Sequence, residues 1–191
     1  MVKIIHRREI SAKQDEKAVV WGGGKGIAAV KGISEGKIEL LIEGAGLPAE
    51  WYRGVMSVLR EAGAGRIDLE SWGWWLGEEA GKPAFARIVD HVACHLPNPL
   101  TGSESARRGE AFVSMRGAYD RVYPIARHAA RAGAVVDAVL WHTEESEGMS
   151  DEDASAARGA GCVVAGGNVA GWATVAVAAG CRFSAMVEIT E

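Results

Sequence analysis

The sequence predicts an α/β fold with a largely parallel sheet, and two observations carry the prediction. Short apolar runs rich in β-branched residues alternate with segments of helical periodicity, as the units of a parallel sheet do. The runs are apolar at nearly every position rather than at alternate ones, which suits strands buried on both faces.

In chain order, strands are expected at 17–21, 38–43, 66–70, 86–92, 135–141, 162–165 and 183–190. A helix over 48–62 places Trp51, Val55, Val58, Leu59 and Ala62 on one stripe, and Gly63 and Gly65 stop it. A second helix is expected over 118–132, with Pro124 early enough in it to be tolerated. Ser150 before Asp151, Glu152 and Asp153 reads as an N-cap with an acidic first turn, opening a helix to about Arg158. A small-residue helix over 170–179 ends at Gly180. The segment 97–109, rich in Ser, Gly and Arg, is expected to be a long surface loop.

With 191 residues, the chain is expected to form one domain that buries roughly 70% of its unfolded surface. Its 48% apolar and 24% charged content is that of a soluble globular protein. A net charge of −4 offers no general attraction for nucleic acid or anionic membrane. No apolar run reaches the eighteen residues a spanning helix needs, and the first ten residues lack the core of a secretory signal. Three sparse cysteines, Cys94, Cys162 and Cys181, argue against a disulfide framework and for a reducing, cytoplasmic setting. Trp51, Trp72, Trp74 and Trp75 fall close together and predict an aromatic cluster or an interface.

Two stretches invite a chemical reading from their residues alone. The Gly-rich turn with Gly22, Gly23, Gly24 and Lys25 follows an expected strand. It is either a backbone cradle for an anion or simply a tight turn. His91, Cys94 and His95 are metal-ligand types, but a strand running into a loop scatters them, so no metal site is expected.

The stretch 90–120 carries a further pattern: Asp90, His91, Asn98, Pro99, Leu100, Gly102, Phe112, Met115, Ala118, Tyr119 and Asp120. It resembles a signature of the trimeric purine nucleoside phosphorylases, D-H-I-N, then N-P-L-x-G, a flexible loop and R-F-P-x-M-S-x-A-Y-D. The resemblance covers roughly 18–191 and runs without a gap over 161–191, where Gly161, Gly166, Gly180, Ile189 and Thr190 match. It implies a nucleoside phosphorylase-like fold, with a central mixed, mostly parallel, barrel-like sheet flanked by helices. It also implies a homo-oligomer, trimer favoured, in which Phe112 reaches a neighbouring subunit, although a core phenylalanine is an equally plain reading.

The same resemblance shows where this chain departs from the family. Gly23 stands at a phosphate-binding serine, and Ala45 at a phosphate-binding arginine, which removes one of the strongest contacts available to phosphate. The small-residue turn T-N-A-A-G-G-L is replaced by Glu70, Ser71, Trp72, Gly73, Trp74, Trp75 and Leu76. Trp72 there either stacks on a purine or joins a filled core or interface. Met149 falls at the glutamate that holds the purine ring, leaving Glu144, Glu145 and Glu147 nearby, with Glu145 and Glu147 the candidate catalytic residues. Asn168 stands at a phosphate-side serine and Glu191 at the base-recognising asparagine. The family's further helices, with a sugar-binding histidine, would lie beyond Glu191.

Two functions follow from the resemblance. In the first, this is a phosphorylase-like protein with an altered pocket, non-catalytic or binding a different small ligand. In the alternative, it is an active enzyme that cleaves a purine nucleoside with phosphate, as co-substrate, to base and pentose 1-phosphate. No other cofactor is called for, and the partner expected in either case is a small nucleoside or base. The first reading is favoured, because each lost electrostatic donor typically costs on the order of 10² to 10³ in rate.

Overall fold

The structure is a computed structural model that describes residues 2–7, 28–34, 37–43, 52, 54, 65–94, 96–101, 112–121, 135–144 and 149–190. Eight strands form one mixed sheet: β1 Val2–Arg7, β2 Ala28–Ser34, β3 Lys37–Glu43, β4 Arg66–Trp75, β5 Phe85–Val92, β6 Val135–His142, β7 Val164–Gly166 and β8 Arg182–Thr190. The strand order is β2-β3-β1-β4-β7-β6-β5-β8, and β8 also pairs with β4. That last pairing closes β4, β7, β6, β5 and β8 into a small barrel, with β1, β3 and β2 extending as a wing.

The closure depends on β4, the longest strand. Its first half pairs in parallel with β1 from Ile67 to Glu70, and further along Trp74 and Trp75 pair antiparallel with Ala165 and Val164. Its other edge pairs with β8 in parallel over nine residues, Arg66 with Arg182 through to Trp74 with Thr190. β4 and β8 are buried at consecutive positions, as strands covered on both faces must be. β6 instead alternates from Asp137 onward, with Ala138, Leu140 and His142 buried. Between β5 and β6 the register shifts after Ile88, a bulge that redirects Asp90 and His91 at the strand's end.

Two helices are described in full. The helix Asp151–Gly159 (α1) is capped by Ser150, whose Oγ accepts from Asp153 N at 3.1 Å, and three acidic residues occupy its positive end. The helix Val169–Ala178 (α2) is apolar nearly all round, and it is buried from Val169 to Ala173 and again at Val175 and Ala176. Together with Ile67, Leu69, Ile88, Leu140, Phe183 and Val187 it forms the main core. A smaller cluster of Leu76, Ala157, Cys162 and Ala165 lies under α1 and is joined by Trp74, Trp141 and Met149.

Both helices end the same way. Gly161 and Gly180 adopt left-handed φ values of 80° and 72°. Gly161 N reaches Arg158 O at 2.9 Å and Cys162 N reaches Ala157 O at 2.9 Å; Gly180 N reaches Val177 O at 3.0 Å and Cys181 N reaches Ala176 O at 2.9 Å. Each turn satisfies the last carbonyls of its helix and swings the chain directly into the next strand. In both cases the residue after the glycine is a buried cysteine.

Several sequence expectations need correction. The strand expected at 66–70 continues to Trp75, and the last strands begin at Val164 and Arg182. β1 and β2 were not anticipated. The helix expected from Ala118 does not begin there: Tyr119 makes a bridge with Phe183, and Asp120 N donates to Phe183 O at 2.6 Å. An extended backbone hydrogen-bonded to β8 wins over the helical pattern. Tyr52 and Gly54 are helical within the segment expected to be so, and Tyr52 is buried; the expected stripe of Trp51, Val55, Val58, Leu59 and Ala62 lies outside the described residues. The strand expected at 17–21 lies outside the described residues.

Candidate functional site

The barrel and α2 bring together one group of polar side chains at the end where β4, β6 and β7 finish. β4 and β7 cross there in close backbone contact: a Cβ on Gly73 would run into Ala165 O, and one on Gly166 would lie 3.0 Å from Trp72 O. Thr143 N, just past β6, donates to Gly166 O at 3.2 Å. The chain then turns through Gly167 into Asn168, a non-glycine residue with φ of 66°. Such a conformation is uncommon, and asparagine tolerates it better than most residues.

Asn168 is buried, and its Oδ1 accepts from the Tyr52 hydroxyl at 3.0 Å. Its carbonyl accepts from Trp172 N at 3.0 Å and starts α2. Tyr52 lies edge-on to Trp172, with ring centroids 5.0 Å apart. A Cβ on Gly171 would stand 2.5 Å from Tyr52 Cζ, so a glycine is needed there for the phenol to reach Asn168. Burial raises the Tyr52 pKa, and the nearby Glu144 carboxylate raises it further. The phenol is therefore a proton donor at neutral pH. His142, at the end of β6, is also buried.

The indoles occupy this end of the barrel as well. Trp72 is 6% exposed and stands edge-on to Trp74, at 5.1 Å between centroids. Trp74 and Trp75 are half-buried, and Trp75 Nε1 donates to Glu78 O at 2.9 Å. Met149 packs against the small cluster under α1. Glu144 is exposed.

The 90–120 signature has a physical basis. His91 Nδ1 lies 2.7 Å from the Tyr119 hydroxyl, and Tyr119 stands edge-on to Phe183. Burial lowers the His91 pKa against an opposing pull from Asp90, and burial raises that of Tyr119, with Asp90 acting in the same direction. Neutral imidazole against neutral phenol is the arrangement these shifts favour. Asn98 Oδ1 accepts from Leu100 N at 2.9 Å, and the turn drives Leu100 into the core with no exposed surface. Phe112 is 90% exposed, so the core reading of it is wrong for the single chain. It borders a cavity of about 190 Å³ that is also lined by His91, Asn98 and Thr174.

One polar network was not anticipated. Arg66 Nε lies 2.8 Å from Asp68 Oδ1, and Arg66 Nη1 lies 3.1 Å from Asp120 Oδ2. Ser184 Oγ donates to Asp68 Oδ1 at 2.5 Å, and Arg182 Nη2 pairs with Asp120 Oδ2 at 2.5 Å. The parallel register of β4 and β8 sets Arg66 beside Arg182 and Asp68 beside Ser184. The only sequence signal is polar residues two apart at the start of two otherwise apolar strands.

Of the candidate catalytic, phosphate-binding, base-binding and interface residues, Asn168, Trp72 and Phe112 are described, and the structure does not bring Phe112 into the Tyr52–Asn168 group. Gly22, Gly23, Gly24, Lys25, Glu145, Glu147, Glu191 and His95 lie outside the described residues. Among the described residues, no helix is long and apolar enough to cross a membrane.

Known structures define the class of fold. This chain has the nucleoside phosphorylase fold, a mixed sheet closing into a small barrel flanked by helices. The purine nucleoside phosphorylase of Schistosoma mansoni in complex with acetate is similar over 100% of this chain and 80% of its own, with a TM-score of 0.75 and 16% identity. The same organism's enzyme in complex with BCX-34 matches over 99% and 80%, with a TM-score of 0.73 and 17% identity. A purine nucleoside phosphorylase in complex with ribose 1-phosphate matches over 100% and 80%, with a TM-score of 0.73 and 17% identity. No family model and no curated relative matches the sequence.

Proposed function

We propose that this is a purine nucleoside phosphorylase-like protein with a rebuilt pocket, which does not carry out phosphorolysis and serves as a scaffold or binds a different small ligand. The observation that carries this reading is the burial of Trp72 against Trp74 in the segment that resembles the family's ligand-lining small residues. An indole held edge-on to its neighbour occupies space that a purine or phosphate would need.

Similar structures hold hypoxanthine, guanosine or inosine, which makes purines and nucleosides the ligands to try first. On this reading the residual phosphate side consists of Gly22, Gly23, Gly24, Lys25 and Asn168, and the base side of Glu191 and Trp72. Glu145 and Glu147 are the acidic residues left to replace the missing glutamate. The protein is proposed to work in the cytoplasm as a homo-oligomer, a trimer by resemblance, with the exposed Phe112 at the contact.

The test is thermal unfolding with phosphate, sulfate, hypoxanthine and inosine, together with a phosphorolysis assay on the same samples. A ligand that binds only the native state raises the melting temperature. The expected result is no base release and no stabilisation by phosphate and purine together. Release of hypoxanthine from inosine, lost on Asn168→Ala, would overturn the proposal.

A further inference from the structure

At the opposite end of α2 from Asn168 lies a second cavity, of about 470 Å³, a size that accommodates a small metabolite. It is bordered by Ser114, Arg116, Asp120, Arg121 and Arg182, and by the turn through Gly180. The ten residues of α2 separate the two ends by about 15 Å at 1.5 Å per residue, so this is not the site discussed above.

Three arginines border the cavity against one aspartate. Asp120 is engaged by Arg66 and Arg182, whereas no carboxylate among the described residues pairs with Arg116 or Arg121. Among the described residues, three positive charges and one negative leave the cavity lining with a balance of +2. The carbonyls at the negative end of α2 do not offset this strongly, because Val177 O and Ala176 O already accept from Gly180 N and Cys181 N. The Asp68–Arg66–Asp120 chain of contacts fixes the Asp120 carboxylate, and Asp120 in turn holds Arg182 at the rim. Gly117, with a φ of 71°, turns the backbone between Arg116 and the Asp120–Arg121 pair, and residues on both sides of the turn line the cavity.

We infer that this cavity binds a small dianion of the phosphate monoester class, held by Arg116 and Arg121 with Arg182 as a third, pre-positioned partner. Planar guanidinium forks match phosphate oxygens two at a time, and a charge of about −2 near neutral pH matches the balance of the cavity. A free phosphate and a phosphorylated metabolite share this chemistry; a volume of about 470 Å³ favours the metabolite.

The experiment is an amide NMR titration of the whole chain with inorganic phosphate, glycerol 3-phosphate and succinate. Saturable shifts are expected at Gly117 and Gly180, tighter for glycerol 3-phosphate than for phosphate or succinate. Arg116→Gln with Arg121→Gln, both exposed positions, should weaken binding by at least about tenfold. Shifts confined to Gly166, Gly167 and Asn168 would place the anion at the other end of α2 and overturn the inference. So would shifts at Gly117 that the double variant leaves unchanged, or a preference for succinate.

Discussion

Gly171→Ala tests the packing that holds the Tyr52–Asn168 pair. On an open helix the change would stabilise by about 0.5–1 kcal/mol, because alanine is the better helix former. Here the new Cβ would lie 2.5 Å from Tyr52 Cζ and 2.7 Å from its hydroxyl oxygen, so the ring has to move. Overpacking of this kind costs about 1–3 kcal/mol, and loss of the hydrogen bond to Asn168 adds about 1 kcal/mol. The net expectation is a loss of about 1–3 kcal/mol in urea unfolding at constant slope. In a Tyr52→Ala background the obstacle is gone, and Gly171→Ala should become neutral or stabilising. The signature is thus a double-mutant cycle with strong coupling. Equal destabilisation in both backgrounds would refute the reasoning, since the clash would then lie elsewhere.

Three further outcomes are expected. Asp68→Ala, which strips Arg66 and Ser184 of a shared acceptor, should cost about 2–3 kcal/mol in chemical denaturation, less than a fully buried pair because Arg66 keeps some contact with water and Asp120; Ser184→Ala should cost about 1 kcal/mol. Burial lowers the His91 pKa in the native state, so the unfolded chain takes up that proton first as the pH falls below about 6.5. Stability should therefore be full above that pH and decline as the pH falls toward the lowered native value, with a slope that His91→Gln reduces in melts across pH 5–8. Phe112→Ser, at an exposed aromatic, should lower the molar mass measured by light scattering without lowering the monomer's melting temperature.

The parts of the fold that could be read in the sequence are those whose cause is local. The α1 start is announced by Ser150 and its acidic first turn, and the α2 stop by Gly180. Strand β8 is a mostly apolar run because it is buried at consecutive positions from Phe183 to Val187. The parts that could not be read have causes far away in sequence. The stretch Ser71–Trp75 shows clustered aromatics interrupted by a glycine, yet it is strand because β7 lies against Gly73 and β8 pairs along the other edge. The region from Ala118 has helical spacing, but β8 offers Tyr119 and Asp120 an extended partner 64 residues later, at Phe183. The Tyr52–Asn168 and Asp68–Ser184 bonds each span 116 residues, and no periodicity encodes such a meeting. The way Tyr52 engages Asn168 depends on the missing Cβ of Gly171 within α2, which no local pattern announces.

The two helix-ending turns make this chain its own reporter of opening. Cys162 and Cys181 are each pulled inside by the glycine before them, while Cys94 remains on the surface, and burial raises the Cys162 pKa further from the reactive thiolate. A thiol-labelling time course should therefore show one fast event followed by two slow ones. The slow rates measure how often the start of β7 and the start of β8 separate from the barrel. If the two rates agree, the closed barrel opens as one cooperative unit; if Cys162 reacts first, the α1 end of the protein opens on its own.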